Sequence, residues 1–184
     1  TDAREKYGLH IASCHVSTDY TCSPGLEKSA LDMYFIPDRS LAGEFAAAGI
    51  PSGKLVPAGL PVRREFACPS SAAAKRTGNI LMMCGSMGCG PIEKTAELIR
   101  GGLAPAQTLT VVCGTNRKLC SRLKKKYEND PKIKVLGFCN TVSRLMEEAD
   151  VYLTKPGGIS VSEAAAKGVP MVLLDTVSGC EKHN

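Results

Sequence analysis

The chain has 184 residues, of which 43% are hydrophobic and 22% charged, and its net charge is +5. This is the composition of an ordinary globular protein that can bury a core, and the length suits one large domain or two small ones. No apolar run of membrane-spanning length and no signal peptide is visible. These features argue against an integral membrane protein or a secreted one and predict a protein that is soluble or at most peripheral to a membrane.

Nine cysteines are many for this length, but their number is odd and none forms a C-x-x-C pair. Several lie in apolar segments that read as strands. We therefore interpret them as small buried hydrophobic residues in a reducing compartment, and expect neither a disulfide framework nor a zinc site. Cys14, His15 and Cys22 lack a fourth ligand at a suitable spacing for zinc.

The first part of the chain predicts about half of an α/β domain. Short strands are expected at Leu9–Cys14, Met33–Ile36 and Lys54–Pro57, with a helix near Ser40–Ala48 that ends at Gly49. Residues 63–78 have the composition of an interdomain linker. We therefore expect residues 1–62 to be the C-terminal part of a first domain, and residues 79–184 to be a second domain truncated at its C-terminus.

From Asn79 onward, apolar strands alternate with amphipathic helices. The runs are apolar throughout, as in strands buried on both faces of a parallel sheet. The predicted strands are Asn79–Cys84, Thr108–Cys113, Ile133–Leu136, Val151–Thr154 and Pro170–Leu174. Such a doubly wound sheet binds ligands at the carboxyl ends of its strands, where the glycine-bearing segments of this half of the chain lie. The basic stretch Arg117–Lys126 is expected to be a solvated helix face, with contact to acidic lipid as the alternative.

The glycine loop Gly85-Ser-Met-Gly88-Cys-Gly90 follows the first strand of the second domain. Its G-x-x-G-x-G spacing differs from the G-x-G-x-x-G of dinucleotide-binding turns, and the next strand ends at Gly114 without the acidic residue that holds an NAD ribose. Both features argue against a dehydrogenase. The loop could contact a sugar or phosphate across a cleft, or it could be only a tight strand–helix connection.

The segment Thr154-Lys-Pro-Gly-Gly-Ile-Ser-Val-Ser-Glu-Ala164 predicts a strand end, a glycine turn and the start of a helix. Glycines let backbone N–H groups approach a ligand, and a helix N-terminus favours negative charge. We expect Glu163 in the first helical turn, where it would suit ribose hydroxyls. Ser160 and Glu163 also have capping-box spacing. Lys155 could pair with a diphosphate or lie on the rim of the site.

These motifs resemble those of diacylglycerol glycosyltransferases, namely the monogalactosyldiacylglycerol synthases of plastids and the processive diacylglycerol glucosyltransferases of bacteria. The resemblance rests on the segment just quoted, on Gly168-Val-Pro, on Gly179-Cys-Glu-Lys-His-Asn184 and on the glycine loop. Earlier segments (Val16-Ser-Thr-Asp19-Tyr-Thr-Cys, Tyr34-Phe-Ile-Pro, Ala48-Gly-Ile-Pro and Gly59-Leu-Pro-Val) resemble the later part of the family's first domain. The motifs occur in family order, and the bacterial type is the more similar.

The resemblance implies an α/β, GT-B-like architecture, with a partial N-terminal Rossmann-like domain and a nearly complete C-terminal one that binds a UDP-sugar. It also implies roles for particular residues. These are diphosphate binding by Gly157, Gly158, Ile159 and Ser160, ribose binding by Glu163, uracil binding by Gly137, Phe138 and Cys139, sugar binding by Gly179, Cys180, Glu181 and Asn184, and a donor-facing glycine loop of Gly85, Ser86, Met87 and Gly88. The family usually has glutamine where Cys180 stands, and a thiol is a poor partner for a sugar hydroxyl.

The implied reaction transfers a hexosyl group from UDP-glucose or UDP-galactose to diacylglycerol in glycolipid synthesis. No cofactor or metal is required, no nucleic acid is expected as a partner, and the protein is expected in the cytoplasm, peripheral at the inner face of the membrane. The family's general base is a histidine in a glycine-rich loop that we expect upstream of Thr1, so the chain alone is expected not to turn over. Asp19 is a weaker catalytic candidate, since an aspartate at a strand end is more often a turn or cap residue.

Two alternatives stay open. One is an enzyme like the peptidoglycan N-acetylglucosaminyltransferase, which shares the fold and a similar helix start but has a glutamine-rich closing motif. The other is a non-catalytic relative that binds a nucleotide-sugar. This alternative stays open because Cys180 stands where the family usually has glutamine.

Overall fold

The computed structural model describes residues 6–67, 78–174 and 184. In it the chain forms two α/β units. Residues 6–61 with residue 184 make the first unit, and residues 62–174 make the second.

The first unit is built on a small parallel sheet. Its strands, in the spatial order β1-β2-β3, are β1 Cys14–Val16, β2 Met33–Ile36 and β3 Leu55–Pro57. Helix α1, Ala42–Ala47, and three short 3-10 helices at Leu26–Ser29, Arg39–Leu41 and Ser52–Lys54 connect them. The core of this unit consists of Leu26, Tyr34, Ile36, Phe45 and Ile50.

The predicted elements of the first unit are found with one shift. Met33–Ile36 is confirmed, and α1 lies within the predicted helix 40–48, followed by Gly49 at a φ of 98°. The first strand begins only at Cys14 and not at Leu9. Leu9 and Ile11 are 45% and 58% exposed, so they have no layer to pack against, and pairing with β2 starts at Cys14.

A five-stranded, entirely parallel sheet forms the centre of the second unit. Its strands are β4 Asn79–Met83, β5 Thr108–Val112, β6 Ile133–Leu136, β7 Val151–Thr154 and β8 Met171–Leu173. Their spatial order is β6-β5-β4-β7-β8. All five predicted strands are thus confirmed to within a residue at each end. The chain moves outward from β4 in one direction and from β7 in the other, so these two neighbours mark the topological switch point.

Helices cover both faces of this sheet. They are α2 Arg64–Ala67, α3 Ile92–Gly102, α4 Arg117–Lys126, α5 Val142–Glu147 and α6 Gly158–Lys167. Side chains of β4 alternate between two cores, because successive residues of a strand point to opposite faces. Leu81 and Met83 pack with α2, α5 and α6, whereas Met82 and Cys84 pack with α3 and α4.

Helix α2 lies in the segment that the sequence predicts to be a linker, residues 63–78. Its Phe66 is fully buried in the core beneath α5 and α6. Ser143 of α5 donates a hydrogen bond to the backbone oxygen of Glu65 at 2.7 Å. The first residues of that segment are therefore part of the second unit, while residues 68–77 lie outside the described part of the chain.

The cysteines of the described ranges are all free. Cys84 and Cys113, at the ends of predicted apolar strands, are buried as predicted, and Cys120 is buried in α4. Cys14 and Cys89 are exposed because they lie on a sheet edge and in a loop. Burial raises the pKa of Cys113 to about 12, so this thiol is protonated at neutral pH.

Two glycines let the loops after β4 and β5 touch backbone to backbone. A Cβ on Gly114 would lie 2.0 Å from the Ser86 oxygen, and one on Gly88 would lie 2.2 Å from the Cys113 oxygen. Thr115 N–H donates to the Ser86 oxygen at 2.8 Å, which fixes the contact. A side chain at either glycine would force these loops apart.

Replacing Gly114 with alanine should therefore destabilise the second unit by at least about 2 kcal/mol, because the new Cβ clashes with backbone and the φ of 57° is unfavourable for alanine. Gly101→Ala is the matched control. This helical glycine has open space around its Cβ, so the change should be neutral or stabilising by about 0.5–1 kcal/mol. Urea unfolding followed by circular dichroism measures both. An equal change in unfolding free energy in the two variants would contradict the backbone contact between the loops after β4 and β5.

Candidate functional site

Two loops meet at the switch point of the second sheet. The glycine loop leaves β4, and the turn Lys155–Gly157 leaves β7, its direct neighbour. A Cβ placed on Gly85 would lie 2.9 Å from Cε of Lys155, so the lysine side chain crosses directly over this glycine. Two of the segments predicted to face the donor are thus adjacent.

Helix α6 begins at this point with Gly158, and Gly157 is its N-cap residue. No side chain among the described residues caps this end of the helix. The backbone N–H groups of Gly158, Ile159 and Ser160 have no acceptor within the helix, because the first turn has no preceding carbonyls. They carry the positive end of the helix dipole and are suited to an anionic group.

The hydroxyl of Ser160 points into the protein. It lies 2.7 Å from the hydroxyl of Tyr152 and 3.4 Å from that of Thr154, two residues that are fully buried. The predicted capping box is therefore wrong: Ser160 is the third residue of α6, and its side chain stabilises the interior instead of the helix end. What Ser160 offers a ligand is its backbone N–H.

Glu163 lies in the second turn of α6, not in the first as predicted, because the helix already begins at Gly158. Its side chain is only 6% exposed and accepts a hydrogen bond from Nε of Arg63 at 3.0 Å. Glu163 Oε2 has no hydrogen-bond partner among the described residues. The carboxylate predicted to hold ribose is thus buried, paired on one oxygen and open on the other.

Contacts through α2 join Glu163 to the segment predicted to bind uracil. Arg63 Nη1 lies 3.1 Å from Oε1 of Glu65. Ser143 of α5, which holds the Glu65 backbone oxygen, follows shortly after residues 137–139 in the chain. Glu163 is therefore connected through Arg63 and α2 to α5, the helix that follows the predicted uracil segment.

A cavity of about 530 Å³ opens at the carboxyl ends of β5 and β6. Gly137 and Phe138 line it, but Cys139 does not, and Phe138 is 66% exposed. The remaining lining comes from the loop after β5 and from one face of α4, namely Gly114, Thr115, Arg117, Cys120, Ser121 and Lys124. Two of the three predicted uracil residues thus face a space large enough for a ring.

In the first unit, two predicted site residues lie in contact. Asn184 Nδ2 donates to Oδ1 of Asp19 at 2.8 Å, and Asn184 Oδ1 accepts from the backbone N–H of Tyr20 at 2.6 Å. Asp19 therefore orients the last residue of the chain. The other predicted sugar-binding residues, Gly179, Cys180 and Glu181, lie outside the described residues.

Sequence reasoning missed Arg63 and Tyr152 as parts of this site. Arg63 directly follows Gly59-Leu-Pro-Val, one of the segments that resemble the family, but it lies just outside that segment. Tyr152 interrupts an apolar strand with a polar tip, a signal for a buried hydrogen bond that could have been noticed. Within the described ranges no cluster of metal-ligating side chains is present. None of the helices in those ranges is long and apolar enough to span a bilayer.

Comparison with known proteins identifies relatives of this chain. Residues 99–183 match the family model of glycosyl transferases group 1. The chain is 28% identical to a processive diacylglycerol β-glucosyltransferase of Staphylococcus saprophyticus, over 98% of the chain and 48% of that relative. It is 30% identical to the chloroplastic monogalactosyldiacylglycerol synthase of Spinacia oleracea, over 89% of the chain and 34% of that protein. The predicted resemblance is confirmed.

Solved structures show the same fold. MurG of Acinetobacter baumannii has a TM-score of 0.68 at 17% identity, covering 98% of this chain and 50% of that one. MnaA of Staphylococcus aureus, solved with UDP, has a TM-score of 0.65 at 15% identity, covering 96% of this chain and 53% of that one. The predicted GT-B-like α/β fold is confirmed. The chain spans about half the length of the bacterial diacylglycerol glucosyltransferases that it matches and about a third of the plastid synthase.

The Tyr152–Ser160 hydrogen bond gives a prediction that depends on pH. Burial raises the pKa of Tyr152 to about 12, against about 10 in the unfolded chain, so wild type loses stability as pH rises from 10 towards 12. Tyr152→Phe should be less stable by about 1 kcal/mol at pH 7, where the hydrogen bond is lost. The difference should shrink or reverse by pH 11, because only the wild type has this phenol to ionise. Urea unfolding at pH 7, 9 and 11 measures it, and a difference that does not change with pH would contradict the burial of the phenol.

Proposed function

We propose that the second unit binds a UDP-sugar and that the protein transfers its hexosyl group to diacylglycerol in glycolipid synthesis. The observation that carries the proposal is the uncapped start of α6 at the switch point, with Glu163 buried one turn further along the helix. The names of the curated relatives provide the acceptor.

The diphosphate would bind the backbone N–H groups at the start of α6. Gly157 and Gly158 leave room for close approach, and the helix dipole meets part of the negative charge. Lys155 adds a positive charge beside Gly85. These groups would stabilise the UDP leaving group as the glycosidic bond breaks, so the proposal requires no metal or other cofactor.

The nucleoside would extend from this point along α6 and α2. Glu163 would accept a hydrogen bond from a ribose hydroxyl, and the segment Gly137–Phe138–Cys139 would seat the uracil. Several structurally similar proteins were solved with UDP or UDP-glucose, among them Anabaena HepE, with a TM-score of 0.55 and 14% identity. This supports a uridine nucleotide as the class of ligand.

The sugar would be glucose or galactose, the two hexoses in the names of the relatives. Gly179, Cys180, Glu181 and Asn184 would contact it, with a thiol replacing the usual glutamine amide. Asp19, held against Asn184, is the candidate catalytic residue on this chain. Because the acceptor is a lipid, we propose a peripheral position at the cytoplasmic face of a membrane.

A second candidate is an N-acetylglucosaminyltransferase like that of peptidoglycan synthesis. The structural likeness to MurG favours keeping it. The closing motif Gly179-Cys-Glu-Lys-His-Asn184 lacks the run of glutamines expected for that enzyme, and this places it second. The two candidates differ in donor, so competition of UDP-glucose, UDP-galactose and UDP-N-acetylglucosamine for the bound UDP distinguishes them.

Calorimetric titration of the 184-residue chain with UDP tests the nucleotide site. We expect UDP to bind, NAD to give no signal, and UMP to bind more weakly because it lacks the second phosphate. Glu163→Ala should lower the affinity for UDP about tenfold or more, since a hydrogen bond to a charged group is lost. Glu128→Ala, a change at an exposed glutamate, is the control and should leave the affinity unchanged. Binding of UDP and NAD with similar affinity would contradict the proposal.

Transfer itself can be tested in a chimera. No segment of this chain resembles the family's histidine-bearing glycine loop, so we expect the chain alone to bind UDP without turnover. Joined to the preceding half of the Staphylococcus saprophyticus relative, it should transfer hexose from a UDP-sugar to diacylglycerol in vesicles. Cys180→Gln in the chimera should raise turnover if the thiol impairs sugar binding. A chimera that binds UDP but transfers nothing, with or without Cys180→Gln, would favour the non-catalytic alternative.

A further inference from the structure

We propose that Arg63 is a positioning residue for the nucleotide: it holds Glu163 in the orientation that contacts the ribose, and thereby makes the site select ribonucleotides over deoxyribonucleotides. This inference rests on the proposed function, because it assigns a second residue to the same ribose contact.

Arg63 is held on three sides. Its guanidinium carbon lies 4.6 Å from the centre of the Phe66 ring, a fully buried side chain at the end of the α2 segment. Its Nη1 lies 3.1 Å from Oε1 of Glu65, and its Nε donates to Oε1 of Glu163. About half of the Arg63 side chain is exposed, but stacking on a buried ring and pairing at two edges restrict its rotation, so it can orient the partner that it contacts.

Glu163 needs such a partner. A carboxylate with 6% of its side chain exposed has lost most of its water, and a buried charge is costly unless it is paired. Arg63 supplies the opposite charge and occupies only Oε1. The two carboxylate oxygens are rigidly related, so fixing Oε1 also fixes the direction of the lone pairs on Oε2.

A ribose hydroxyl is the group that this geometry can use. Oε2 has no hydrogen-bond partner among the described residues, and a hydroxyl can donate to it at little cost if the oxygen is already in place. A 2′-deoxyribose lacks one donor, so the preference for ribose depends on how well Oε2 is positioned. Removing Arg63 should therefore reduce this preference without affecting the parts of the nucleotide that do not touch Glu163.

A purely structural role of Arg63 would give a different result. If the arginine only stabilised the packing of α2 against α6, its loss would weaken the binding of all nucleotides to the same extent. A direct contact between Arg63 and the phosphates or the base would also weaken the binding of UDP and of its 2′-deoxy analogue equally, and a direct contact with the 2′-hydroxyl would give a further loss when Arg63→Met is combined with Glu163→Gln. The ratio of the two affinities is thus the readout that separates positioning from both of these roles.

The experiment measures Kd for UDP and for 2′-deoxy-UDP with the 184-residue chain and four variants: Arg63→Met, Arg63→Lys, Glu163→Gln and the double variant Arg63→Met with Glu163→Gln. Wild type should prefer UDP by about tenfold or more, as expected for one hydrogen bond to a charged group. Arg63→Met and Glu163→Gln should each bring the ratio towards one and leave 2′-deoxy-UDP within about threefold of wild type. Arg63→Lys should keep part of the preference, because it keeps the charge but loses the planar guanidinium.

The double variant should be no worse than Glu163→Gln alone, since Arg63 acts only through that carboxylate. Arg64→Met, which removes the same charge at the adjacent exposed position, is the matched control and should behave like wild type. Retained 2′-deoxy-UDP binding shows that each variant is folded.

Equal loss of UDP and 2′-deoxy-UDP in Arg63→Met, or a further loss in the double variant, would overturn the positioning role while leaving the UDP site in place. Absence of UDP binding in wild type would overturn the proposed function and this inference with it.

Discussion

The parallel pairing of β4 with β7 is the constraint on which the site depends. Pairing places Met82 beside Leu153, so the two strands end at the same edge of the sheet and their loops leave side by side. Neighbouring strands are only about 4.8 Å apart, and loops so close need small residues where they cross. Gly85 beneath Lys155 meets this need. The turn that precedes α6 therefore lies directly beside the glycine loop.

On one face of the same sheet, three buried polar side chains are paired with a second side chain. Tyr152 pairs with Ser160, Glu163 with Arg63, and Lys167, whose side chain is 1% exposed, with Glu147 at 2.5 Å. Three of these six residues, Ser160, Glu163 and Lys167, lie on α6. A helix held by several directional bonds is a rigid support for a ligand, because each buried group would be left unpaired if the helix moved.

The sheet of the second unit could be predicted almost completely from the sequence, because continuous apolar runs bounded by glycines leave few alternatives. The turn of α6 in which Glu163 lies and the partner of Ser160 could not: the two residues have capping-box spacing, and only the structure shows that Tyr152 already contacts the Ser160 hydroxyl. The role of Arg63 could not be predicted from the sequence for a similar reason. Its neighbours have the composition of a linker, whereas tertiary packing of Phe66 makes this segment a helix. The site residues that depend on contacts distant in sequence are those that local patterns cannot assign.

A crystal structure of the chain with UDP tests the central claim most directly. We predict that the diphosphate lies within hydrogen-bonding distance of the N–H groups of Gly158, Ile159 and Ser160, and that a ribose hydroxyl contacts Oε2 of Glu163. The uracil should lie against residues 137–139. UDP bound with its diphosphate on Arg117 and Lys124 in the cavity beside α4, leaving the start of α6 empty, would contradict the account.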